Sequence, residues 1–367
     1  MKVVITINTA WNIYNFRRGL IKALQNEGIE VITVSPRDEY SQLVKSLGCK
    51  HYPITMENKG TNPFHDYKLY RTLLKVYERI QPDVILQYTI KPNIYGTLAA
   101  KKLGIPVINN VSGLGTIFLH NHPLYKIARS LYKIAFKHPK RVFFQNNDDL
   151  NLFLEHGLIK KEITDVLPGS GVNTAELKYS EIKKTEPFIF LVLARVLFDK
   201  GIQEYVDAVR LLKRKGYNFE AQLAGALDEK SSMGIPKEKV DFWHKSKLIN
   251  YLGEIKNVSE YLQKCHCAVL PSYREGTPKS LLEAGAIGRP IVATDVPGCR
   301  EVVINTENGY LCEVKNAISL ADAMEKVLQS NETELQKLGL RSRKLIEEKF
   351  DERIVIAKYL DIIKSKK

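Results

Sequence analysis

The sequence predicts an α/β protein made of two doubly wound domains, each with a parallel sheet covered by helices on both faces. The chain has 367 residues, which is more than one ordinary hydrophobic core organises and therefore favours two domains. In both halves, short β-branched runs alternate with amphipathic helical segments, a pattern typical of parallel sheets joined by helices. Between the halves, residues 169–187 are rich in Gly, Ser and charge, a composition typical of a linker.

The individual elements follow from the same patterns. In the first half we predict strands at 2–7, 31–35, 84–89, 107–111 and 142–146, with helices at 14–27, 66–80, 92–103 and 123–138. In the second half we predict strands at 188–194, 219–224, 249–253, 267–272 and 290–295. The domains are then residues 1–168 and 188–350. Because doubly wound sheets bind ligands beyond the carboxyl ends of their strands, we expect a central cleft between the domains to hold the ligands.

Composition narrows the class of protein. No segment has the apolar core of a signal peptide or the roughly 20 apolar residues of a membrane span. Five cysteines favour a reducing cytoplasm over a disulfide framework. Cys265 and Cys267 flank His266, but this segment is predicted to be a strand with no second ligand pair nearby, so we expect apolar packing and no metal there.

The net charge of +14 is uneven along the chain. Residues 1–170 carry 23 Lys and Arg against 13 Asp and Glu, whereas the rest carries 32 against 28. An excess of positive charge in one half indicates an anionic partner there, which could be a phospholipid, a phosphorylated ligand or a nucleic acid.

The loop that follows the strand predicted at 267–272 carries the richest set of candidate ligand-binding residues: Glu275, Thr277, Pro278, Lys279, Ser280, Leu281 and Glu283. Thr277 suits an N-cap and Pro278 the first helical position, so the first N–H groups of this helix would bind a phosphate between the two glutamates. Alternatively, Glu283 salt-bridges a neighbouring helix and Glu275 caps local backbone.

Neighbouring loops bring cations to the same edge of the sheet. Arg195 and Lys200 follow the strand predicted at 188–194, and Gly225 ends the strand predicted at 219–224. Arg binds phosphate through two donors and Lys supplies a point charge, while a glycine lets backbone approach a ligand closely. Together these residues predict a diphosphate site.

The segments LARVLFDKG and LPSYREGTPKSLLEAGAIGRPIVATDVPGCREVV resemble the donor-site signature of the large retaining glycosyltransferase family 4, which has the GT-B fold of two Rossmann-like domains. Glu275 and Glu283 satisfy its E-x7-E pattern. The resemblance covers nearly the whole chain, including GSGV at 169–172. It implies that a last helix, about 351–367, packs back on the N-terminal domain.

The resemblance implies a hexosyltransferase that uses a UDP-sugar, with no cofactor and no metal. In that family the cations matching Arg195 and Lys200 hold the leaving diphosphate, the first Glu contacts the donor sugar and the second binds the ribose. Retention is ascribed to front-face attack, with the leaving phosphate accepting the proton of the acceptor. The implied catalytic residues are Glu275, Arg195 and Lys200, and the implied donor-binding residues are Glu283, Gly225, Thr277, Pro278, Lys279, Ser280 and Leu281.

In the first half, NIYNFRRGL and SGLGTIF resemble segments of enzymes that extend undecaprenyl-diphosphate-linked sugars, including N-acetylhexosaminyl transferases of bacterial surface polysaccharide and glycoprotein glycan assembly. Two departures limit the transfer of roles. The loop after the first strand has no glycine before Gly19, so phosphate cradling by this loop is not assigned, and Ser112 stands where many members have a His. The candidate acceptor-side residues are Asn12, Arg17, Lys91, Ser112 and His120, with an ordinary core or surface histidine as the alternative for His120.

Two predicted helices carry basic stripes, formed by Lys68, Arg71, Lys75 and Arg79 in one and by Lys126, Arg129, Lys133, Lys137, Lys140 and Arg141 in the other. Basic amphipathic helices bind anionic bilayers, although the same pattern describes the solvated face of a helix packed on a sheet. The charge excess and the implied lipid-linked acceptor favour a cytoplasmic protein that is peripheral on the inner face of the cell membrane.

Three alternatives remain open at the level of sequence. The first is a GT-B transferase with a soluble acceptor, which would not explain the excess of basic residues in the first half. A nucleic-acid-binding protein is disfavoured because the basic residues are mostly Lys on helices and no recognised module is present. A glycoside hydrolase is disfavoured because its two carboxylates stand about 5–10 Å apart across a sugar, without a diphosphate site beside them.

Overall fold

The computed structural model describes residues 1–57, 62–114, 123–229 and 231–365. The strands are β1 (Lys2–Thr6), β2 (Glu30–Ser35), β3 (Lys50–Pro53), β4 (Val84–Tyr88), β5 (Val107–Val111), β6 (Arg141–Phe144), β7 (Thr164–Val166), β8 (Phe188–Leu193), β9 (Phe219–Ala224), β10 (Asn250–Gly253), β11 (Cys267–Leu270), β12 (Ile291–Thr294) and β13 (Gly309–Cys312). The helices are α1 (Ala10–Asn26), α2 (Ser41–Ser46), α3 (Pro63–Ile80), α4 (Thr97–Lys102), α5 (Pro123–Ala135), α6 (Asn147–Glu155), α7 (Ile202–Arg214), α8 (Lys237–Lys245), α9 (Val258–Lys264), α10 (Lys279–Ile287), α11 (Ala317–Gln329), α12 (Glu332–Lys349) and α13 (Glu352–Lys364). A π-helical turn, Pro92–Gly96, precedes α4.

The chain divides into two compact units. The first unit comprises Met1–Ser170 and Glu352–Lys367, and the second comprises Gly171–Asp351. The first unit therefore contains α13, which lies against the first sheet: Asn110 Nδ2 donates to the Tyr359 hydroxyl at 3.1 Å, and Lys140 Nζ donates to the Ile362 carbonyl at 3.0 Å.

The first sheet is parallel, with strand order β3-β2-β1-β4-β5-β6-β7. Apolar residues of α1 and α13 cover one face, and those of α3 and α4 cover the other. Burial on both faces explains why β1 and β4 read as continuous apolar runs. The edge strands β3 and β7 were not predicted, because none of their residues is fully buried and their sequences lack such a run.

The second sheet is also parallel and has the order β10-β9-β8-β11-β12-β13. Its edge strand β13 (GYLC) was not predicted either. The strand order reverses once in each sheet, between β1 and β4 in the first and between β8 and β11 in the second. The predicted α/β class with two doubly wound domains is confirmed, and each reversal marks the position where such sheets bind ligands.

The segment predicted as a linker differs from the structure. Gly171 onward belongs to the second unit, and Ile182 is buried in its core. Arg343 of α12 holds this segment through carbonyl oxygens: Nη1 donates to Leu177 and to Ala286, both at 2.5 Å, and Nη2 donates to Thr174 at 2.9 Å. The polar, glycine-containing composition of this segment correctly indicates irregular backbone. The composition does not show that the segment packs on the second unit, because that packing depends on an arginine far away in the sequence.

Replacing Arg343 by Ala should destabilise the second unit, because three carbonyl groups lose a charged donor. Each hydrogen bond to a charged group contributes about 1.5–3 kcal/mol, so the loss of all three should lower the free energy of unfolding by at least about 3 kcal/mol in a urea titration. Lys344→Ala on the same helix is the control, because Lys344 is exposed and lies 3.8 Å from Glu348, and exposed pairs contribute about 0–1 kcal/mol. Equal effects of the two substitutions would contradict the proposed role of Arg343.

Candidate functional site

Two loops of the second unit meet at the carboxyl ends of the adjacent strands β8 and β11. The first loop runs from β8 to α7, and the second from β11 to α10. The backbone N–H of Tyr273 in the second loop donates to the carbonyl of Asp199 in the first at 2.9 Å. The loops are therefore bound to each other at the point where the strand order reverses, which is where doubly wound sheets hold ligands.

An ion pair joins the two loops. Lys200 Nζ lies 2.5 Å from Glu275 Oε1, and the two side chains are 16% and 15% exposed. The hydroxyl of Ser272 donates to the same Oε1 at 2.7 Å. Within the described part of the chain, Glu275 Oε2 accepts no hydrogen bond, so the carboxylate is held in place while one oxygen can accept a bond from a ligand.

Ser272 and Thr294 support this carboxylate, and sequence reasoning did not identify either residue. The hydroxyl of Thr294, the last residue of β12, donates to the Ser272 carbonyl, and both residues are buried. A buried polar residue needs a partner, so a Ser and a Thr directly at the ends of apolar strands were the signal that could have found them.

Glycines permit the close approach of these loops. Gly201 has φ +67°, and a Cβ built on it would lie 2.0 Å from the Pro271 carbonyl oxygen. Gly298, after β12, has φ +85°, and its Cβ would lie 2.3 Å from the Gly276 carbonyl oxygen. A larger residue at either position would push apart the backbone that carries Lys200 and Glu275.

Arg195 and Gly225 follow the neighbouring strands β8 and β9, at the same edge of the second sheet. The Arg195 side chain is 59% exposed and its Nη1 lies 3.6 Å from Asp228 Oδ2, so the guanidinium faces solvent. A Cβ at Gly225 would lie 1.8 Å from the Ala194 carbonyl oxygen. Gly225 therefore lies close against the end of β8, and its approach to a ligand stays a prediction.

The start of α10 is displaced by one residue from the prediction. The helix begins at Lys279, and Pro278, with ψ 111°, takes the N-cap position without a side-chain hydrogen bond, so Thr277 is not the N-cap. The N–H of Leu281 donates to the Pro278 carbonyl at 3.0 Å, which removes it from the predicted phosphate-binding set. Ser280 lies in the first turn of the helix.

Among the residues that the structure describes, Glu283 forms its ion pair within α10 and not with a neighbouring helix. Its Oε1 lies 3.2 Å from Lys279 Nζ, one helical turn earlier. The side chains are 26% exposed for Lys279 and 17% for Glu283, so both reach solvent at the start of the helix that follows Glu275.

The candidate acceptor-side residues of the first half differ from one another in burial and in their partners. Lys91 Nζ lies 2.7 Å from Asp66 Oδ1 with both side chains largely buried, so its charge is already paired. The N–H of Asn12 donates to the N-cap hydroxyl of Thr9 at 3.1 Å. Arg17 is buried over the ring of Tyr88. Ser112 is half-buried directly after β5, and His120 lies outside the described residues.

The Cys-His-Cys segment packs in the core of the second unit. Cys265 and Cys267 are buried and belong to hydrophobic clusters. Burial raises the pKa of the Cys265 thiol to about 12 and lowers the pKa of His266, whose ring stacks on Phe188 with centroids 4.6 Å apart.

Of the two predicted basic stripes, the one in the α5 region is smaller than predicted. On α3, Lys68, Arg71, Lys75 and Arg79 are all exposed. In the α5 region, Lys126, Lys133 and Lys137 are exposed, whereas Lys140 and Arg141 donate to backbone carbonyls beyond the helix and Arg129 is only half-exposed. Across the described ranges, no helix is long and apolar enough to span a bilayer.

Replacing Gly201 by Ala should destabilise the second unit more than replacing Gly253 by Ala. Gly253 has nearly the same φ, +69°, but nothing lies within 4 Å of the position that a Cβ would take there, so its substitution adds only left-handed strain of about 1–2 kcal/mol. At Gly201 the contact with Pro271 adds overpacking, which costs about 1–3 kcal/mol more. Urea unfolding of both variants measures the difference, and equal losses would show that the loops can separate without cost.

Comparison with known proteins agrees with this geometry. The family described as "Glycosyl transferases group 1" matches residues 173–344, and "Glycosyl transferase 4-like" matches residues 2–146. The chain is 32% identical to the N,N'-diacetylbacillosaminyl-diphospho-undecaprenol alpha-1,3-N-acetylgalactosaminyltransferase of Campylobacter jejuni, over 99% of this chain and 98% of that protein. It is 25% identical to the capsular polysaccharide biosynthesis glycosyltransferase CapM of Staphylococcus aureus, over 92% of this chain and 90% of that protein.

Solved structures share the fold at lower identity. Sucrose-phosphate synthase from Thermosynechococcus elongatus superposes with a TM-score of 0.82 at 17% identity, covering 99% of this chain and 98% of that one. HepE from Anabaena, in complex with UDP and glucose, superposes with a TM-score of 0.80 at 16% identity, covering 100% of both chains. With the full-length relative at 32% identity, this establishes that the chain has the GT-B fold and is a hexosyltransferase of the group 1 glycosyltransferase family.

Proposed function

We propose that this enzyme transfers a sugar of the N-acetylhexosamine type from a UDP-sugar, with retention of configuration, to a polyprenyl-diphosphate-linked glycan. The observation that carries the proposal is the Lys200–Glu275 pair where the second sheet reverses its strand order. The name of the Campylobacter jejuni relative supports the sugar and the acceptor. An Escherichia coli relative, 20% identical over 76% of this chain, is named as a galactosyltransferase acting on a diphosphoundecaprenol-linked sugar, which supports the same acceptor class.

The donor would bind along the loops after β8 and β11. Arg195, which faces solvent, and Lys200 would hold the diphosphate, assisted by the first turn of α10, whose N–H groups favour an anion. The Oε2 of Glu275, to which no described residue donates, would accept a hydrogen bond from a sugar hydroxyl. Glu283, one helical turn beyond Lys279, would accept hydrogen bonds from the ribose.

The proposed reaction needs no enzymic nucleophile. The bond between the anomeric carbon and the donor diphosphate oxygen breaks, while the acceptor hydroxyl oxygen forms a new bond to that carbon from the same face. The acceptor proton passes to the departing phosphate oxygen. Arg195 and Lys200 stabilise the negative charge that develops on this phosphate, and we propose that they do so without a metal ion.

The first unit would carry the contact with the membrane through α5. Ile127 and Ile134 are 57% and 51% exposed and lie one heptad apart, flanked by the exposed lysines Lys126, Lys133 and Lys137. Apolar side chains between cations are typical of a helix that lies in the interface of an anionic bilayer. Such a contact would keep the enzyme on the inner face of the cell membrane, beside a lipid-linked acceptor.

Substitution of Lys200 by Ala should lower UDP release at least about 100-fold, because removing one group that stabilises charge in the transition state costs about 10²–10³ in rate. Substitution of Glu275 by Gln should have a similar effect, because it removes the charged partner that holds Lys200 in place and weakens the acceptor for the sugar hydroxyl. The assay uses a panel of UDP-sugars with and without a short prenyl-diphosphate sugar, and it is repeated with EDTA.

Lys264→Ala is the control for this assay, since Lys264 forms a similar 2.6 Å pair with Glu260 that is exposed. Release that does not depend on the lipid-linked sugar would contradict the acceptor assignment. Loss of activity with EDTA would contradict metal independence.

The triple variant Lys126→Glu, Lys133→Glu, Lys137→Glu should bind liposomes with acidic lipids at least about tenfold more weakly, because each lysine near such a surface contributes about 1 kcal/mol. Flotation at two salt concentrations measures this binding. The matched control is the same reversal on α12 of the second unit, at the exposed residues Lys337, Lys344 and Lys349. Binding that is insensitive to salt, or equal losses in both variants, would exclude α5 as the contact.

A further inference from the structure

Arg17 is a buried cation with few partners. Its side chain lies in α1, and the residue is 4% exposed. Its guanidinium carbon lies 3.9 Å from the centroid of the Tyr88 ring, and Nη1 donates to the Phe16 carbonyl at 3.4 Å. Among the described residues, Nε donates to no acceptor, and no carboxylate forms an ion pair with the guanidinium. Because buried charges in proteins are normally paired and a guanidinium has five N–H donors, several of these donors can still serve a ligand.

The position of Arg17 is that of a ligand site. Tyr88 is the last residue of β4, which neighbours β1 at the point where the first sheet reverses its strand order. The next residue, Thr89, has φ +68°, a left-handed conformation that β-branched residues rarely adopt. The chain then enters the π-helical turn Pro92–Gly96, and such turns are frequent at functional sites.

Polar acceptors lie at the same end of this sheet. Asn8, two residues after β1, and Asn12, in the first turn of α1, each have a buried Oδ1 without a hydrogen-bond partner among the residues that the structure describes. Unsatisfied buried acceptors are uncommon. A ligand with an anionic group could accept hydrogen bonds from the guanidinium. Hydroxyl or amide groups of the same ligand could donate hydrogen bonds to the two asparagine oxygens.

The Tyr88 ring beneath Arg17 is fixed by neighbouring side chains. The Tyr88 ring lies 6.3 Å from the ring of Tyr359 in α13, and Tyr359 packs edge-on against Phe143 with centroids 5.0 Å apart. The Tyr359 hydroxyl accepts a hydrogen bond from Asn110 Nδ2 at 3.1 Å. The guanidinium therefore rests on a rigid aromatic support, which orients its donors before a ligand arrives.

We propose that Arg17 binds a diphosphate group at the strand-order reversal of the first sheet. The choice of diphosphate over another anion rests on the proposed function, since both substrates of that reaction carry one and the guanidinium fork matches phosphate oxygens. The diphosphate belongs either to the lipid-linked acceptor or to the nucleotide donor. Lys91 is already paired with Asp66, and the half-buried Ser112 carries no charge. Neither residue is therefore as suitable for binding an anion as Arg17.

Calorimetric titration of the whole chain without turnover tests the proposal. The probes are UDP, a short-chain prenyl-diphosphate N-acetylhexosamine, and the matching prenyl glycoside without the diphosphate. Arg17→Gln should weaken one of the two diphosphate probes about tenfold or more, as expected for loss of a hydrogen bond to a charged group, and should leave the prenyl glycoside within about twofold. Weaker prenyl-diphosphate binding assigns the acceptor as the source, and weaker UDP binding assigns the donor.

Lys22→Gln is the matched control, because Lys22 is exposed on the same helix and its substitution removes the same charge. Affinities for both diphosphate probes that stay within about twofold in Arg17→Gln would overturn the proposal and leave Arg17 as a packing residue over Tyr88. If Arg17→Gln does not fold, Arg17→Lys keeps the charge but loses the planar fork. It should weaken one diphosphate probe at least about threefold, and unchanged affinities would again overturn the proposal.

A fourth probe separates this proposal from the proposed function. If the wild-type chain binds neither UDP nor the prenyl-diphosphate sugar, the proposed function fails, but inorganic pyrophosphate can still be titrated. In a Lys200→Ala background, which removes a cation of the second unit, Arg17→Gln should still weaken pyrophosphate binding about tenfold. Equal pyrophosphate affinities with and without Arg17 would overturn the assignment of Arg17 independently of which sugar the enzyme transfers.

Discussion

The site in the second unit depends on the direct contact between the loops that follow β8 and β11. Parallel pairing of these strands brings two segments more than 70 residues apart to one edge of the sheet, and backbone bonding from Tyr273 to Asp199 fixes their spacing. Gly201 allows this approach because it has no Cβ to meet the Pro271 carbonyl. Lys200 and Glu275 then form an ion pair at low exposure, where screening by salt and water is weaker than on an open surface.

The two units share one strand order but carry different chemistry at the reversal. In the second unit, the groups at this position are charged and paired across two loops, which suits a ligand whose phosphate and sugar contact different groups. In the first unit, a single buried guanidinium rests on an aromatic ring, and two asparagine side chains that follow β1 each have a buried oxygen without a partner within the described ranges. The excess of basic residues in the first half includes both this cation and the exposed lysines of α5. The two units therefore share a strand order and differ in the side chains that they place at the reversal.

The sequence patterns predicted the central strands accurately, but they missed the edge strands and misplaced one helix start. The strand at Val107–Val111 begins and ends where the pattern predicts, because a strand buried on both faces leaves a continuous apolar run. β3, β7 and β13 lie at sheet edges, and their partial exposure leaves no such run. Thr277 was predicted as an N-cap from its type, but Pro278 holds that position. Local preference alone does not set a helix boundary to one residue.

For the site, the kinds of groups can be read from the amino-acid sequence alone: two cations after one strand, two glutamates after another, and an arginine early in the first helix. The family resemblance carried by these residues also determined the class of enzyme. Which of these groups contact one another depends on how the chain packs. Ser272 and Thr294 hold Glu275, Gly225 lies close against the end of β8, Lys91 is paired with Asp66, and Arg17 is not paired with any described carboxylate. Hydrophobic periodicity arises between residues that are close in the sequence, so it predicts helices and strands. The hydrogen bonds and ion pairs of the site form between distant residues that only the packed sheet brings together.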